Sequence, residues 1–426
     1  MTTTTAELQH RTLRVLVVAQ VLSGAGLAAG VTVGALLAQD MLGSTGLAGL
    51  PAALLTAGSA VTAVAIGRIS QEWGRRPGLA TGYAVGALGS VGVVVAAVLD
   101  SSALLFAALF VYGAGSATNL QARYAGADLA EVDHRARAIS TVLVATTLGG
   151  VVGPLLAAPT GDLAHMVGVP HLAGPFLLAG VAYLAAAVVL ATRLRPDPLL
   201  HARELASSEL ASSELASSEV ALTEVPPGPV AETRAAQVRH GILVGATVMV
   251  LTQAVMVAIM TMTPVHMRDH GHGTAAAGAV IALHVAAMYL PSPVTGRLVD
   301  RVGRTPMAIA SGVTLLLAGV LAAVAPDDSV LLLALALALL GLGWNFGLVS
   351  GTAIITDAVP IETRARTQGW VDVSIAIAGA GGGLMSGVVV EMTSYSVLSF
   401  AGGLLALAIL PAIAGAARPR TPLAAA

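Results

Sequence analysis

GRLVDRVGRTP, residues 296–306, follows a long apolar run and is repeated in outline as GRISQEWGRRP, residues 67–77. The two copies are 296 − 67 = 229 residues apart. A second pattern, an Asp followed seven and nine residues later by Arg, begins at Asp128 and again at Asp357, with the same offset of 357 − 128 = 229 residues. Two unrelated patterns in one register indicate that the chain is a duplication of one structural unit.

The composition requires a membrane environment. The chain has 426 residues, of which 56% are hydrophobic and 10% charged, and a polar surface made from so few charged residues could not cover it in water. Its apolar runs are about 20 residues or more, which is the length that crosses a bilayer as a helix. The predicted spans are 13–38, 47–70, 78–99, 103–127, 136–160, 172–193, 241–266, 274–297, 306–325, 329–357, 365–390 and 395–416.

Twelve spans and one duplication predict the fold class. We expect an all-α membrane protein of twelve transmembrane helices in two pseudo-symmetric six-helix lobes, residues 1–193 and 241–426, joined by a cytoplasmic low-complexity linker, residues 194–240. Repeats of this kind in membrane carriers place the substrate between the halves near the bilayer midplane, and one half rocks against the other. The sequence therefore favours a secondary transporter that works by alternating access.

The basic residues predict the orientation. All 21 are Arg, and with the N-terminus inside, nineteen of them fall in cytoplasmic segments. Only Arg268 lies outside, and Arg123 lies near the inner end of the fourth span. This asymmetry predicts a multi-pass protein of the bacterial cytoplasmic (inner) membrane with both termini in the cytoplasm. The N-terminus shows no cleavage pattern, so no signal peptide is expected.

Charge and cysteine content exclude several partners. The net charge of −2 leaves no basic face for nucleic acid, so the expected partners are the lipid bilayer and a small-molecule or metal-ion substrate, and the chain is expected to be a monomer. The absence of cysteine excludes disulfides and thiolate metal sites. No nucleophile elbow, phosphate loop or HExxH motif is present, so an enzyme is not expected. A ligand sensor without transport is also disfavoured, because no signalling domain is appended.

The predicted linker contains ELASSELASSELASSEV, residues 204–220. A five-residue period rotates by about 140° per repeat on a helix, so its leucines do not form one stripe. We therefore expect a flexible, acidic linker that lets the lobes rock. The stretch PPGP, residues 226–229, should break any helix before the seventh span.

The form G-x-x-x-D-x-x-G-R-x-P of the two opening stretches resembles the signature loop of the major facilitator superfamily. In that family the motif's acid and arginines tether inner helix ends in the outward-open state, which implies a gating role rather than substrate contact. The matching residues are Gly67, Gly74, Arg75, Arg76, Gly296, Asp300, Gly303 and Arg304. The first copy carries Gln71 where the acid belongs. A contact between inner helix ends, called a latch below, would there need the neighbouring Glu72 to supply the charge.

Soft metal ligands concentrate around the seventh and eighth spans. Met256 and Met260 have i, i+4 spacing and share one helix face, and His284 and Met288 have the same spacing in the next span. Counted from the outer ends, thioether and imidazole should lie at similar depth, and Cu(I) prefers such soft, neutral ligands. Met also fills gaps in apolar helices, and His284 could instead carry a proton or bind an organic substrate.

More methionine and histidine lies at or above the outer end of the seventh span. These residues would form an outer mouth for the path: Met262, His266, Met267, His270 and His272. No cofactor is expected to be bound permanently, and Cu(I) is the candidate transported ion.

The combined MxxxM and HxxxM pattern resembles the CcoA-like copper importers, a branch of the major facilitator superfamily. NLQARYAGADLA (119–130), WNF (344–346) and TMTPVHM (261–267) are also similar to that branch. The resemblance implies copper import through Met256, Met260, His284 and Met288. The same branch also resembles riboflavin carriers and carriers of other small organic solutes, so the scaffold leaves the cargo open.

Proton-coupled multidrug efflux is a further alternative. GGVVGPLLAA, residues 149–158, partly resembles an antiporter motif in Gly149, Gly153 and Pro154, which close helix packing and a kink also explain. Exchange for protons needs a carboxylate in the membrane. Asp372, about two turns into the eleventh span, and Asp128 are the candidates. Arg123 could line the cavity or bind an anionic group, although its position near the inner interface favours snorkelling or pairing with Asp128.

Overall fold

The computed structural model describes residues 4–42, 50–218 and 228–417. Within these ranges the regular structure is helical. The α-helices are α1 (Thr5–Leu42), α2 (Leu50–Trp73), α3 (Arg75–Val98), α4 (Ser102–Ala127), α5 (Arg135–Leu155), α6 (Ala157–Met166), α7 (Gly174–Arg193), α8 (Pro198–Ser218), α9 (Gly228–Asp269), α10 (Thr274–Tyr289), α11 (Ser292–Val302), α12 (Arg304–Val324), α13 (Val330–Ala358), α14 (Arg364–Met392), α15 (Tyr395–Ala406) and α16 (Ile409–Ala417).

The helices match the predicted spans. In the described part of the chain, ten helical segments are long and apolar enough to cross a membrane, and each corresponds to one predicted span. The first and fifth spans are occupied by α1 and α5, which include residues whose side chains are not described. The prediction of an all-α membrane fold is confirmed.

Three predicted spans contain a break between two helices; the fifth, 136–160, covers α5 and the start of α6. The eighth is divided into α10 and α11 at Leu290 and Pro291, and the twelfth into α15 and α16. Pro291 and Pro293 have no N–H groups and cannot continue the i→i−4 hydrogen bonds of α10. The predicted single helix over 274–297 is therefore interrupted, and α11 extends it to Val302.

Each half of the chain has its own apolar core. One cluster is drawn from buried residues between Leu16 and Leu194. The other lies mainly between Met249 and Ala406, and it also includes a few residues of α4 and α5, where the halves meet. This arrangement agrees with two packed lobes, while the boundaries at residues 193 and 240 stay predictions.

Small residues permit close packing in the first lobe. A Cβ on Gly86 would lie 2.8 Å from Gly115 N, and one on Gly89 would lie 2.4 Å from Tyr112 N, so α3 and α4 approach backbone to backbone. Tyr183 fills the adjacent space, with its ring centroid 5.7 Å from that of Tyr83. Lipid provides no hydrophobic drive between helices, so such van der Waals contact carries much of the stability.

The segment between the lobes differs from the expected flexible linker. Residues Pro198–Ser218 form α8. Leu199 in its first turn is fully buried, and Ala202 is buried in a cluster with Leu8 and Leu129. Ala, Leu and Glu are strong helix formers, which explains the helix. Residues 219–227, which include the first half of PPGP, lie outside the described part, and α9 begins at Gly228.

Candidate substrate pathway and gates

The motif end is the end of the bundle that carries residues 67–77 and 296–306, the end predicted to face the cytoplasm. Here Asp300 of α11 caps the start of α5 from outside that helix. Its Oδ1 accepts a hydrogen bond from Ala136 N at 3.1 Å and its Oδ2 accepts one from Arg137 N at 3.0 Å. A carboxylate in this position satisfies free N–H groups and is favoured by the helix dipole.

Gln71 does the same at the start of α14. Its Oε1 accepts from Ala365 N at 2.8 Å and from Arg366 N at 3.2 Å. Both pairs of contacts join one lobe to the other, and they are related by the 229-residue offset. Glu72, the expected substitute for the missing acid, is exposed. The first latch is therefore present but uncharged.

The motif arginines extend these contacts. Arg75 is fully buried; its Nε lies 2.7 Å from Asp128 Oδ2, and it donates to Gln368 Oε1 across the lobes at 2.6 Å. In the second half Arg304 Nε donates to Asp357 Oδ2 at 3.0 Å. These two ion pairs are again related by the offset of 229, since 304 − 75 = 357 − 128 = 229. Arg135 also reaches Asp357, at 2.6 Å, from the first lobe.

Glycines let the same elements approach. A Cβ on Gly296 would lie 2.7 Å from Ala136 O, and one on Gly67 would lie 3.0 Å from Ala365 O. Gly74 and Gly303 have φ of 98° and 110°, which favours glycine at the turns that follow α2 and α11. Latches, ion pairs and close packing together hold the two lobes against each other at the motif end.

A buried ion pair joins the lobes deeper in the bundle. Arg123 of α4 lies with Nη2 2.7 Å from Asp372 Oδ1 of α14, and its Nε donates to Thr352 Oγ1 at 3.1 Å. Tyr124 donates its hydroxyl to the same Asp372 oxygen at 3.2 Å. The expected partner of Arg123, Asp128, is occupied by Arg75 instead. Asp372 Oδ2 is buried and finds no hydrogen-bond partner among the described residues.

The predicted metal residues are buried in the second lobe. Met256 and Met288 are 4% and 7% exposed, His284 is fully buried, and Met260 packs partly buried on the same core. His284 Nδ1 lies 2.8 Å from Leu337 O of α13, while its Nε2 is buried and has no partner in the described part of the chain. The imidazole is thus oriented by α13. Whether it shares a ligand with the methionines of α9 stays a prediction.

The predicted outer mouth divides into two kinds of residue. Met267 is fully buried in the core and Met262 is packed partly against it. Both thioethers contribute to the apolar core, which is an ordinary role for Met, and their part in an outer mouth stays a prediction. The histidines His266, His270 and His272 lie at the end of α9 and just after it, where Asp327 joins them.

Of the predicted packing residues in the fifth span, Gly149 meets α1. A Cβ there would lie 2.2 Å from Val21 O and 2.8 Å from Gly24 Cα, so the two backbones touch. Gly153 and Pro154 fall among residues whose side chains lie outside the described part, and their kink stays a prediction.

An aromatic and amide cluster lies where α9, α10 and α13 meet. Trp344 Nε1 donates to Gln253 Oε1 at 2.8 Å, and the rings of Trp344 and Tyr289 meet edge to face with centroids 5.6 Å apart. Gln253 and Tyr289 are partly exposed. The sequence singled out Trp344 only as part of WNF. Tyr289 is the last residue of α10, just before the break at Pro291. The proline in the sequence is the signal from which Tyr289 could have been predicted as a site residue.

Comparisons with known proteins agree with this architecture. The Major Facilitator Superfamily model matches residues 16–290 and 242–425. The chain belongs to the major facilitator superfamily. It is 57% identical over 406 residues to the MFS-type transporter YdeG of Bacillus subtilis, covering 95% of this chain and 92% of that protein. This family consists of membrane transporters that are generally non-enzymatic carriers.

Two further similarities bear on this carrier. It is 30% identical over 375 residues to the riboflavin transporter RfnT of Brucella anthropi, covering 86% of this chain and 85% of that one. The proton:xylose symporter XylE has a similar structure, with a TM-score of 0.73 at 15% identity over 96% of both chains. At that identity the likeness shows the fold alone.

Proposed function

We propose that this carrier moves a small organic solute with a flat aromatic part across the membrane by alternating access, and that riboflavin is the first compound to test. The cluster of Trp344, Tyr289 and Gln253 carries the proposal. The ring of Tyr289 provides apolar contact area, and the partly exposed amide of Gln253 can fix the orientation of a ligand. The buried ring of Trp344, 4% exposed, positions Gln253 through its hydrogen bond. The 30% identity to a riboflavin transporter supports the same class of solute.

The contacts between the lobes support a gating scheme. With the motif end closed, the substrate would enter from the opposite end, which the arginine distribution predicts to be outside. Opening the motif end requires separation of Arg123 from Asp372. Protonation of Asp372 would neutralise the carboxylate and weaken that pair, so a proton could drive the change.

Riboflavin uptake tests the proposal. The carrier is expressed in a bacterial riboflavin auxotroph that lacks its own importer, and accumulation of labelled riboflavin is measured at matched membrane expression. We expect uptake by the wild type and its loss in Trp344→Ala, because the ring and its hydrogen bond to Gln253 are both removed.

Trp370→Ala is the matched control, since Trp370 lies 49% exposed on α14 and should not face the solute. Equal loss of riboflavin uptake in both variants would show no specific role for Trp344 in the solute pathway. Correctly inserted wild type that takes up no riboflavin would reject this solute.

Copper import is the second candidate, because His284 Nε2 is buried and the described residues offer it no partner. A neutral imidazole nitrogen with Met288 one turn away in the same helix is a donor set that suits Cu(I). Soft, neutral ligands also leave no fixed charge in the membrane after the ion departs. Met256 and Met260 would extend the path in α9.

Cellular copper measured by mass spectrometry under copper limitation separates the two candidates. A gain with wild type that is lost in the double variant Met256→Ala/His284→Ala, and kept in the exposed-residue control Met385→Ala, would support a metal path. No gain with inserted wild type would reject copper import under these conditions.

A further inference from the structure

Two imidazoles and a carboxylate converge at the end of the bundle opposite the motif end. His266 lies in the last turn of α9 and His270 directly follows the helix, with its N–H still donating to His266 O, and Asp327 lies in the loop between α12 and α13. His266 Nε2 is 3.5 Å from Asp327 Oδ1, and His270 Nε2 is 3.5 Å from Asp327 Oδ2. The three ligand atoms all lie within 4.8 Å of one another.

The imidazoles are oriented by their surroundings. His270 Nδ1 lies 2.8 Å from the carbonyl oxygen of His266, so Nδ1 carries the proton and donates it. The other ring nitrogen, Nε2, which has a free lone pair in the neutral tautomer, then faces Asp327. His266 stacks on Tyr395 with ring centroids 4.3 Å apart and an interplanar angle of 16°, and the Tyr395 hydroxyl lies 2.9 Å from Thr263 Oγ1. Such outer contacts fix the orientation of metal ligands.

The carboxylate is also positioned. His272 Nε2 lies 2.8 Å from the backbone oxygen of Asp327, and that oxygen can only accept, so the histidine donates. This bond ties the loop to the residues that follow α9. Asp327 is therefore held by a third histidine that does not compete for the ion.

We propose that His266, His270 and Asp327 form a binding site for a divalent transition-metal ion, with Zn²⁺ as the representative ion. Zinc bonds of about 2.0–2.1 Å at tetrahedral angles place ligand atoms about 3.3–3.4 Å apart. Each histidine nitrogen lies 3.5 Å from a different oxygen of the Asp327 carboxylate, so a small rotation of that carboxylate would bring one of its oxygens near this spacing from both nitrogens. Histidines at i, i+4 on one helix are a recurrent zinc-binding spacing. Nitrogen and carboxylate donors suit Zn²⁺, whereas Cu(I) prefers softer ligands.

The fourth coordination position faces solvent. The side chain of Asp327 is 62% exposed and that of His270 is 39% exposed, so water can complete a tetrahedral shell. A bound ion would clamp the end of α9 to the loop between α12 and α13. Because α9 also carries Gln253, external metal would restrain a helix of the candidate solute pathway. The metal site itself does not depend on which solute the carrier moves.

Zinc binding to the full-length protein tests the proposal. The carrier is purified through a tag that contains no histidine, placed in lipid nanodiscs and titrated with Zn²⁺ by calorimetry. We expect one tight site per chain, with affinity about tenfold or more weaker in His270→Ala and in Asp327→Asn. Co²⁺ should give the visible absorption of a tetrahedral site, and that absorption should be lost in the same variants.

His171→Ala is the matched control. His171 Nε2 lies 3.3 Å from Asp162 Oδ1, a pair of one histidine and one carboxylate for which the described residues provide no third ligand. Its loss should leave the affinity unchanged. Thermal unfolding in EDTA must be the same for each variant as for the wild type. Zinc affinity unchanged by Asp327→Asn, or no tight site in folded wild type, would leave a histidine–carboxylate ion pair only and overturn the proposal.

Discussion

Gln71 and Asp300 occupy equivalent positions in the two halves and make equivalent hydrogen bonds with different charge. Gln71 uses one amide oxygen for the two N–H groups at the start of α14, whereas Asp300 uses both carboxylate oxygens at the start of α5. The geometry of the latch therefore requires an acceptor at this position and does not require an acid. Only the second latch gains from attraction between a full charge and the helix dipole.

Removal of the Gln71 acceptor should weaken the closed motif end. Gln71→Ala leaves two N–H groups of α14 without their partner, which costs about 0.5–2 kcal/mol by analogy with helix caps. We expect a larger population with the lobes separated there. Distance measurements between spin labels on the two lobes would detect it, and the sequence has no native cysteine to interfere. Glu72→Ala, at the exposed neighbouring position, should change nothing.

The buried pair Arg123–Asp372 gives a stability prediction. Asp372→Asn leaves a fully buried guanidinium without its counter-charge, and breaking such a pair costs about 3–5 kcal/mol. We expect a lower unfolding temperature in detergent for Asp372→Asn. The double variant Arg123→Gln/Asp372→Asn should recover most of the loss, because no charge stays buried. If the loss in the double variant equalled the sum of the losses in Arg123→Gln and Asp372→Asn, the two residues would not be coupled and the prediction would be wrong.

For individual residues, the sequence predicted which positions of the two halves are equivalent, but it did not predict which side chains pair with each other. The offset of 229 residues identified Asp128 with Asp357 and Gln71 with Asp300 before any contact was known. It could not predict that Arg123 pairs with Asp372, because that contact depends on how the two lobes meet. Likewise, Asp327 carries no local motif, and only the folded chain brings it to the histidines of α9.

At the scale of helices, the length of the apolar runs predicted the membrane spans. The differences, a divided span and a helical linker, have local causes. The prolines that follow α10 divide the eighth span, and the helix formers of residues 198–218 make a helix of the expected linker. The five-residue repeat did not indicate that α8 would pack on the lobes, because the apolar contacts come from Ala202 and Leu205, where the repeat has barely begun.

The contact between α11 and α5 should tolerate no side chain at Gly296. A Cβ there would lie 2.5 Å from Ser140 Oγ and 2.7 Å from Ala136 O, and the backbone oxygen cannot rotate away. We expect Gly296→Val to prevent closure of the motif end and to abolish transport without loss of membrane insertion. Gly278→Ala is the control in the same span, because a Cβ at Gly278 meets nothing within 4 Å. Normal transport by Gly296→Val would show that the transport cycle does not require close contact between α11 and α5.

The start of α8 should depend on Asp197. Its Oδ2 accepts from Arg76 N at 2.7 Å and its Oδ1 accepts from Leu199 N at 3.1 Å, so it joins the motif loop to the helix. We expect Asp197→Ala to raise amide hydrogen exchange in residues 198–205, measured by mass spectrometry. Glu209→Ala, in an exposed position of the same helix, should leave the exchange of this segment unchanged. Equal protection in both variants would show that apolar packing alone holds α8.

For the whole molecule, the duplication explains why both lobes contribute equivalent contacts to the closed motif end. Asp300 of the second lobe caps α5 of the first, and Gln71 of the first lobe caps α14 of the second, so each lobe completes a helix of the other. Composition and repeat length predicted two lobes around a pathway. They could not predict that the motif end is closed, because both states of a carrier use the same sequence and differ only in contacts between lobes.

The pairing of Arg123 with Asp372 also determines how the carrier responds to membrane voltage. A full elementary charge moved across the membrane field contributes about 2.3 kcal/mol per 100 mV, but an ion pair that stays together is neutral and contributes little. In proteoliposomes with an imposed potential, we expect the lobe distances of empty wild type to be unaffected. Those of Asp372→Asn should shift with voltage, since its buried arginine is uncompensated. The acid thus lets a positive charge reside in the membrane without making the empty carrier a voltage sensor.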